Sequence, residues 1–386
     1  MGGFLSTAQT IPENVLELSQ RGLCEKCVAR LTGLRKLDVE KFHLPDHNDT
    51  CICCCGIMSR FPKILEKAQQ ALGNYSFNDT QIEMPKKLSE KDDKLLRELK
   101  CETSCSLKNH LKSYLQINSK RTKQVATLLV HIKSPTSFFC ELEWPNLYIT
   151  GRYIKRSRQV SHTRFFNGEA ISSVESEIIS AFNGKFDSPQ LHFESAGRED
   201  MDVRMLNTGR PFSLTISHPK PNPEADIPLT ISQFASDLAY LVPSQLQLSN
   251  GVEIFDLKLT EIEPDMKPKH MKAYKCVIST SRPVTDEMIQ RLSVENVVVY
   301  QRTPTRVAQR REMMTREKVV MKMNAERISP RFLLLTLQTS SGTYIKEFVN
   351  SDFGRTSPCL GSLLDPTGVP MECQLLQLDV VQVGAD

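Results

Sequence analysis

The spacing of hydrophobic residues changes near residue 125. Between Phe61 and Leu115, apolar residues recur every three or four positions, which predicts amphipathic helices in ILEKAQQALGNY and SEKDDKLLRELK. Ser89-Glu-Lys-Asp has the form of a capping box and predicts the start of the second helix. Beyond this region, VATLLVHI, FFCELEW and NLYITGRY are short β-rich runs separated by Ser-Pro and Pro-Asn turns, so we expect strands.

The remainder of the chain combines strand-like runs with one helical stretch. Ser172–Phe182 returns to the helical period, and LHFESAG then leads into the charged turn Gly197-Arg-Glu-Asp. Further strands are predicted in KCVIST, NVVVYQ, FLLLTLQT and LLQLDVVQV, with polar breaks at 217–226 and 267–272. We therefore predict an α+β protein with two domains, a partly helical one at 1–145 and a strand-rich one at 146–386.

Composition agrees with a globular protein. The chain has 386 residues, of which 40% are hydrophobic and 24% charged, and this excludes fibrous and wholly disordered classes. The longest apolar runs, such as Val125–Ile132, fall short of the roughly 18 residues of a membrane span, so we expect no membrane association. The N-terminus lacks the pattern of a secretory signal, and we expect an intracellular protein of the nucleus or cytoplasm.

Cysteines are concentrated near the N-terminus, where eight of the 12 lie within the first 105 residues. Cys24 and Cys27 form one C-x-x-C pair, and Cys51 and Cys54 form a second pair 23 residues later. This spacing predicts a four-thiolate structural zinc site rather than disulfides. Other pairings stay open at this stage, because four further cysteines lie nearby, namely Cys53, Cys55, Cys101 and Cys105. Buried free thiols are the alternative interpretation.

Positive charge is unevenly distributed, although the net charge is only +4. The stretches Thr103–Cys140, Arg152–Arg164 and Arg302–Arg311 contain no Asp or Glu and several Lys or Arg each. If these stretches converge, they create a positive field suited to a polyanion backbone. Each stretch taken alone is equally typical of a solvated surface.

Two separated segments concentrate groups that carry chemistry. Ser195–Arg204 places Asp200 on a turn entered through Gly197, beside basic residues that make a surface salt bridge the ordinary interpretation. Gly342–Val349 follows a predicted strand and begins a helix with Lys346 on its first turn. An ion pair between Asp200 and Lys346 at the floor of a cleft is one arrangement that these patterns suggest.

These segments resemble the pseudouridine synthases. Within that family they resemble the tRNA pseudouridine synthases of the class numbered ten in eukaryotes, which has archaeal relatives. The resemblance runs in family order from about residue 148 to 380. Its motifs are Gly151–Arg158, Ser195–Arg204 with Gly209–Phe212, Thr303–Val307 with Arg310 and Arg311, and Gly342–Val349 with Asp352–Thr356.

The resemblance implies an α+β catalytic domain with a central, mostly antiparallel sheet and a basic cleft. It places the catalytic aspartate at Asp200, with Asp202 as the nearest rival. It also places the base-stacking aromatic residue at Tyr274 and the basic partner of the aspartate at Lys346, where other synthases have Arg. The apolar residue that closes the pocket falls at Leu364, with Leu363 as a less favoured register.

The implied reaction needs no cofactor for catalysis. The N1 glycosidic bond of uridine breaks, the uracil rotates, and C5 joins the same sugar carbon. The ionised carboxylate either attacks the sugar or abstracts a sugar proton, and the sequence leaves both roles open. The target base must first leave the RNA stack. By resemblance, the substrate is the TΨC arm of tRNA at position 54 or 55.

Residues 1–145 resemble the zinc-bearing, THUMP-like accessory domain of this class, shortened between Cys27 and Cys51. We expect a monomer with tRNA as its partner. The alternatives are a catalytically weak RNA-binding or RNA-processing adaptor and a zinc-finger module, the latter explaining only the first 60 residues. The predicted RNA-binding residues are Lys120, Arg121, Lys123, Arg152, Lys155, Arg156, Arg158, Arg198, Arg204, Arg210, Arg306, Arg310 and Arg311.

Overall fold

The chain divides into two compact units in a computed structural model. The N-terminal unit comprises residues 1–145 and 220–234, and the C-terminal unit comprises 146–219 and 235–386. The structure describes residues 11–35, 39–45, 47, 49–73, 77, 79–118, 126–166, 169–170, 172–220, 230–267, 271–309, 311–367 and 369–384. Among these residues, none of the helices is both long and apolar enough to cross a membrane.

The N-terminal unit combines helices with a small sheet. Its helices are Glu13–Gln20, Glu25–Thr32, Phe61–Leu72, Lys86–Glu98 and Leu107–Asn118, with 3-10 turns at Ile57–Arg60 and Thr103–Cys105. Its strands are β1 (Asp79–Glu83), β2 (Thr127–Ser134) and β3 (Ser137–Glu143). They lie in the order β1-β2-β3, with β1 parallel to β2 and β3 antiparallel to it.

The core of this unit follows the helical period. Ile64, Ala68 and Leu72 recur every four residues on one face of their helix and are buried. The predicted helices and the strands β2 and β3 are confirmed, but β1 was not predicted. Ser89 is not a helix cap, because the helix begins three residues earlier at Lys86, after Pro85. Proline at this point has the fixed φ that suits a helix entry and needs no N–H partner.

The C-terminal unit is built on one large sheet. Its helices are Val174–Phe182, Asp286–Gln290, Ile345–Asn350 and Leu360–Leu364, with 3-10 turns at Ala239–Leu241, Ser249–Gly251 and Thr305–Val307. The helix Ile231–Leu238 spans the unit boundary at residue 234. The strands are β4 (Leu147–Lys155), β5 (Phe165–Phe166), β6 (Glu169–Ala170), β7 (Gln190–Ser195), β8 (Arg204–Ser217), β9 (Gln245–Gln247), β10 (Val252–Thr260), β11 (Lys272–Thr280), β12 (Val294–Arg302), β13 (Thr315–Ser329), β14 (Phe332–Thr339), β15 (Thr356–Ser357) and β16 (Cys373–Val383).

Eleven of these strands form the sheet, in the order β15-β12-β13-β14-β11-β16-β8-β4-β10-β9, with β7 added beside β8. All pairings are antiparallel except the parallel pair β16 and β8. The predicted α+β class and mostly antiparallel sheet are therefore confirmed. Five strands of this sheet were not predicted, namely β8, β9, β10, β13 and β15.

One edge of β8 is shared by two strands. Its C-terminal half pairs with β7, whereas its first residues, Arg204 and Met205, pair with β16. Since β7 stops at Ser195, opposite Phe212, the chain leaves the sheet between β7 and β16 and returns at Arg204. The β7–β8 loop, residues 196–203, therefore lies at a split in the sheet and belongs to neither of the two strand pairings.

Candidate active site

The β7–β8 loop is fixed by backbone hydrogen bonds at both ends. The Ala196 N–H donates to the Pro211 carbonyl at 3.0 Å, and the Val203 N–H donates to the Asp200 carbonyl at 3.1 Å. Gly197 has φ +88°, a left-handed conformation that favours glycine. The Gly-Arg-Glu-Asp turn thus has a glycine where the backbone is left-handed. The turn places Asp200 in the loop, away from the paired strands.

Asp200 lies between two cations. Its Oδ2 is 3.1 Å from Lys346 Nζ and 3.3 Å from Arg306 Nη1, and its side chain is 39% exposed. Burial raises the pKa of Asp200, but Lys346 and Arg306 together outweigh burial, so the pKa lies below its usual value. The carboxylate is therefore ionised at neutral pH and open on one side.

The nearby Asp202 shares the same lysine. Lys346 Nζ lies 2.9 Å from both carboxylate oxygens of Asp202, whose side chain is 66% exposed. Asp202 is therefore the more solvated of the two carboxylates. Within the described residues, Arg306 forms ion pairs with Asp200 and Glu347 but not with Asp202.

The carboxylate next to Asp200 in the sequence faces the interior. Glu199 Oε2 accepts a hydrogen bond from Arg210 Nε at 2.9 Å, and the two side chains are each only 1% exposed. Tyr153 Oη donates to Glu199, and His162 lies against both. Burial raises the pKa of Glu199, but Arg210, His162 and Lys155 together outweigh burial and bring the pKa to about 2. This ionised network fixes the loop from behind Asp200.

Lys155 also supports the loop and does not reach the surface. Its ammonium donates to the carbonyls of Val160, Asp200 and Met201 at 2.9, 3.3 and 2.8 Å, and the residue has 0% exposure. Burial lowers the pKa of Lys155 to about 8. Lys155 and Arg210 were predicted to bind RNA, and the structure corrects this, because neither buried cation is accessible to a phosphate.

Three other predicted RNA-binding residues make internal contacts. Arg152 donates to the carbonyls of Gly209 and Val383, while Arg158 and Arg204 both pair with Asp379 on β16. These contacts connect β4 and β8 to β16 next to the split in the sheet. Arg152 and Arg158, from the acid-free stretch 152–164, thus find their partners elsewhere in the chain, in carbonyls and in a distant carboxylate.

The remaining predicted cations divide into exposed residues and residues outside the described part of the chain. Arg156, Arg198 and Arg311 are exposed, and Arg156 pairs with Glu253 at 2.7 Å. Arg198 contributes to the low pKa of Asp200. Four residues lie outside the described residues, namely Lys120, Arg121, Lys123 and Arg310.

Tyr274 lies in the middle of the sheet. It pairs with Val380 on β16, Val380 pairs with Met205 on β8, and Met205 pairs with Lys155 on β4. Directly opposed residues in paired strands point to the same face, so Tyr274 shares its face with the lysine that holds the Asp200 backbone. Tyr274 is 7% exposed, and burial raises its pKa to about 12.

Leu364 is fully buried at the end of the helix Leu360–Leu364, whereas Leu363 is only half-buried. Gly361 allows this helix to pack closely, because a Cβ there would lie 1.9 Å from the Met371 carbonyl oxygen. The buried position suits a packing role for Leu364, and its predicted role at the pocket stays a prediction.

Sequence reasoning assigned Arg306 to phosphate binding and missed its place beside Asp200. Arg306 follows Pro304 in the loop after β12, and its Nε donates to the buried Glu347 at 2.7 Å. Glu347 is the neighbour of Lys346 on the helix Ile345–Asn350. The Lys-Glu dipeptide therefore supplies one cation directly and orients a second, a relation that only tertiary contact reveals.

The four predicted cysteine ligands meet in the N-terminal unit. Cys24, Cys27, Cys51 and Cys54 are buried, and their sulfurs all lie within 4.8 Å of one another. Cys53 takes no part, because its sulfur accepts from Arg30 and contacts Asp92. The cluster can hold a metal ion, and four sulfurs at this separation match the donor set of a closed tetrahedral site.

Comparisons with known proteins agree with this arrangement. A family profile described as "Pus10, C-terminal" matches residues 148–384, more than half of the chain. The tRNA pseudouridine synthase Pus10 of Thermoplasma acidophilum is 27% identical, over 96% of this chain and 98% of its own length. The human protein of that name is 33% identical over 62% of this chain, and the putative one of Drosophila melanogaster is 34% identical over 64%.

The chain spans about half the length of these two animal relatives, 44% and 49%, respectively. The class that fold and comparisons define is that of the pseudouridine synthases, which are isomerases. Within that class, the chain belongs to the Pus10 family, whose profile covers all but the first residue, Leu147, of the sheet from which the Asp200 loop extends.

Proposed function

We propose that this protein isomerises uridine to pseudouridine in the TΨC arm of tRNA, at position 54 or 55, with Asp200 as the catalytic carboxylate. The observation that carries the proposal is the position of Asp200, half-exposed between Lys346 and Arg306 on the loop at the split in the sheet. Family membership supports the reaction class, and the names of the relatives support tRNA as substrate.

The geometry suits the chemistry in three respects. Asp200 is ionised and open on one side, as both nucleophilic attack and proton abstraction require. Lys346 and Arg306 hold the carboxylate at a fixed place, so little reorganisation is needed during the reaction. Tyr274 lies on the same face of the sheet as Lys155, which supports the β7–β8 loop. There it stacks on the detached uracil while the ring rotates. Within the base, N1 gains a proton and C5 loses one, which balances the reaction without a cofactor.

The RNA backbone contacts fall to the exposed cations. We assign phosphate contacts to Arg156, Arg198 and Arg311, whose side chains reach solvent. Arg306 lies at the border of the two roles, since it is exposed and also touches Asp200. Within the described residues, the phosphate contacts that we propose are therefore fewer than the sequence predicted. They are the exposed cations, not the ones that support the β7–β8 loop or join the strands.

We further propose that the four-cysteine cluster holds one structural zinc ion. Its ligands would be Cys24, Cys27, Cys51 and Cys54, and the four thiolates fill a tetrahedral coordination sphere, as in structural rather than catalytic sites. The ion would hold the start of the helix Glu25–Thr32 to the segment 51–54, because each contributes two of the ligands. Its contribution is to the stability of the N-terminal unit.

The decisive experiment is the incubation of the full chain with an unmodified tRNA transcript, followed by mapping of pseudouridine at single-nucleotide resolution. We expect product at position 54 or 55 and none in a matched transcript with cytidine at both positions. Product at another arm would contradict the TΨC assignment, and tight binding without any product would support an adaptor role. The intact pair of Asp200 and Lys346 favours the enzyme.

A further inference from the structure

A pocket of about 560 Å³ lies beside the Asp200 site in the C-terminal unit. We call it the flanking pocket, and its wall includes Arg306, Lys346, Glu347, Asp352, Phe353 and Met371. Two of these residues, Arg306 and Lys346, are the cations that touch Asp200, so the flanking pocket shares part of its wall with the Asp200 site. Its volume is in the range of small-ligand sites.

An aromatic side chain projects from the rim of this pocket. Phe353 is 96% exposed, and it follows two other residues of positive φ, with values of 72° for Ser351, 46° for Asp352 and 58° for Phe353. Positive φ is strongly disfavoured for a bulky side chain, and such strain persists only where the surroundings enforce it. The exposed ring is therefore held out by the fold.

The surroundings of this turn are well defined. The carboxylate of Asp352 is buried and accepts hydrogen bonds from Thr305 N–H at 3.2 Å and Thr305 Oγ1 at 2.8 Å. Ser351 Oγ accepts from the Gly354 N–H at 2.8 Å. Because Thr305 precedes Arg306, the turn that presents Phe353 is bonded to the same loop that supplies a cation to Asp200.

The wall of the pocket also carries an incompletely bonded acceptor. Glu347 is 4% exposed, and its Oε1 accepts from Arg306. Its Oε2 is buried and has no hydrogen-bond partner among the described residues. A buried carboxylate oxygen without a donor is costly. Because Oε2 is enclosed by the protein, we count it as a cost to the fold and not as a contact for a ligand.

These features together fit one chemical class. An exposed ring and two cations match the base face and the phosphates of a nucleotide. Resting on the proposed function, we propose that the flanking pocket binds a nucleotide next to the target uridine, with Phe353 stacked on its base. Extrusion of the target leaves its neighbours without a stacking partner, and Phe353 replaces the one that was lost.

Fluorescence tests this directly, since the chain contains a single tryptophan, Trp144, which is buried. In Phe353→Trp, a second and exposed indole reports on the pocket, and tRNA should quench its emission saturably. The matched control is Ile328→Trp, at an exposed position near the far end of β13. That position lies roughly 40 Å along the strand from Arg316, which contacts the Thr303 loop. Its emission should not change with tRNA.

Kinetics gives a second test. Phe353→Ala should raise KM for tRNA roughly 10-fold, the loss expected for one base stack, with kcat within about three-fold. Phe353→Tyr should restore KM, because it retains the ring, and Ile328→Ala should behave as the wild type.

Two results overturn the inference while leaving the proposed function intact. One is unquenched indole emission from a Phe353→Trp protein that modifies tRNA normally. The other is emission that changes with protein concentration without RNA, since this would indicate that the ring contacts a second copy of the chain. Failure of the proposed function is distinguishable, because the wild type then forms no pseudouridine. Quenching measured in the Asp200→Asn background depends only on binding.

Discussion

The Asp200 site and the four-cysteine cluster neutralise negative charge in opposite ways. Asp200 remains 39% exposed, and cations from the chain itself lie within 3.3 Å of it. The four cysteine sulfurs are buried within 4.8 Å of one another, and as thiolates they would repel one another without a bound cation. An anion balanced by side chains and open to solvent is available for reaction. Anions that enclose a metal stabilise the fold.

Glu199 extends the comparison within a single loop. It precedes Asp200 in the sequence, yet it is paired with Arg210 in the interior and is closed to solvent. Of two adjacent carboxylates, one is thus available for chemistry and the other supports the backbone that presents it. Burial and partner, rather than residue type, decide the role of each.

The largest effect should come from the open carboxylate. Asp200→Asn removes the charge while keeping the shape, so we expect the rate of pseudouridine formation to fall by roughly 1,000-fold or more. Affinity for tRNA should stay within a few-fold, because exposed cations hold the phosphates. Single-turnover kinetics and a filter-binding titration measure the two quantities separately.

Asp202→Asn is the matched control for this change, since Asp202 contacts the same lysine. It should reduce the rate far less, given its greater exposure. A larger loss in Asp202→Asn than in Asp200→Asn would exchange the two roles.

The closed cysteine cluster should respond in stability rather than in chemistry. We expect about one zinc per chain, lost in Cys24→Ser or Cys51→Ser together with the stability of the N-terminal unit, because structural zinc binding is coupled to folding. Metal analysis and thermal melting with and without chelator measure this. Isomerisation of an isolated TΨC stem-loop should survive chelation.

Cys53→Ser is the control for the cluster, because its buried sulfur faces Arg30 and Asp92 instead. It should keep the metal. Loss of zinc in this variant, or unchanged melting of the wild type in chelator, would be inconsistent with the proposed ligand set.

Glu199→Gln tests the closed carboxylate of the loop. It leaves the buried Arg210 without a counter-charge, and we expect a loss of about 3 kcal/mol in the free energy of unfolding. The same substitution at Glu253, whose partner Arg156 is 60% exposed, should cost less than about 1 kcal/mol. Denaturant unfolding of both variants gives the comparison, and equal losses would refute the distinction between buried and surface pairs.

The Glu199 effect should also depend on pH. Its pKa is about 2 in the fold against 4.5 for the free side chain, so the stabilisation is present above about pH 4.5 and lost as pH falls toward 2. The stability difference between wild type and Glu199→Gln should therefore shrink over that interval. A difference that is independent of pH would mean that Glu199 is not ionised in the fold.

The smallest effect concerns the N-terminal basic stretch. Neutralising the predicted phosphate contacts Lys120, Arg121 and Lys123 together should flatten the salt dependence of whole-tRNA binding, by roughly 0.7–0.9 log units per log of salt for each contact. KM for whole tRNA should rise, and an isolated TΨC stem-loop should hardly be affected. An unchanged slope would make the stretch a solvated surface and leave recognition to the exposed cations of the C-terminal unit.

The sequence by itself determined features that depend on local order. Short β-rich runs bounded by turns predicted β2, β3, β4, β11, β12, β14 and β16. The C-x-x-C spacing predicted which sulfurs cluster. Ordered motifs from Gly151 to Thr356 indicated the family and selected Asp200 before any contact was known. These features can be recognised in the sequence because each strand run, cysteine pair or family motif consists of a few consecutive residues.

Only the tertiary structure decided which cations are exposed at the surface and which are buried with internal partners. Lys155 and Arg210 have the same charge as the exposed Arg156 and Arg198, yet both are buried. Lys155 donates to backbone carbonyls, and Arg210 pairs with Glu199. Arg306 reaches Asp200 across 106 positions of sequence. A charge becomes structural or functional through the groups that other strands bring to it, and its burial sets the strength of that interaction. No spacing rule encodes such neighbours, because they are joined only where β4, β8 and the loop after β12 meet.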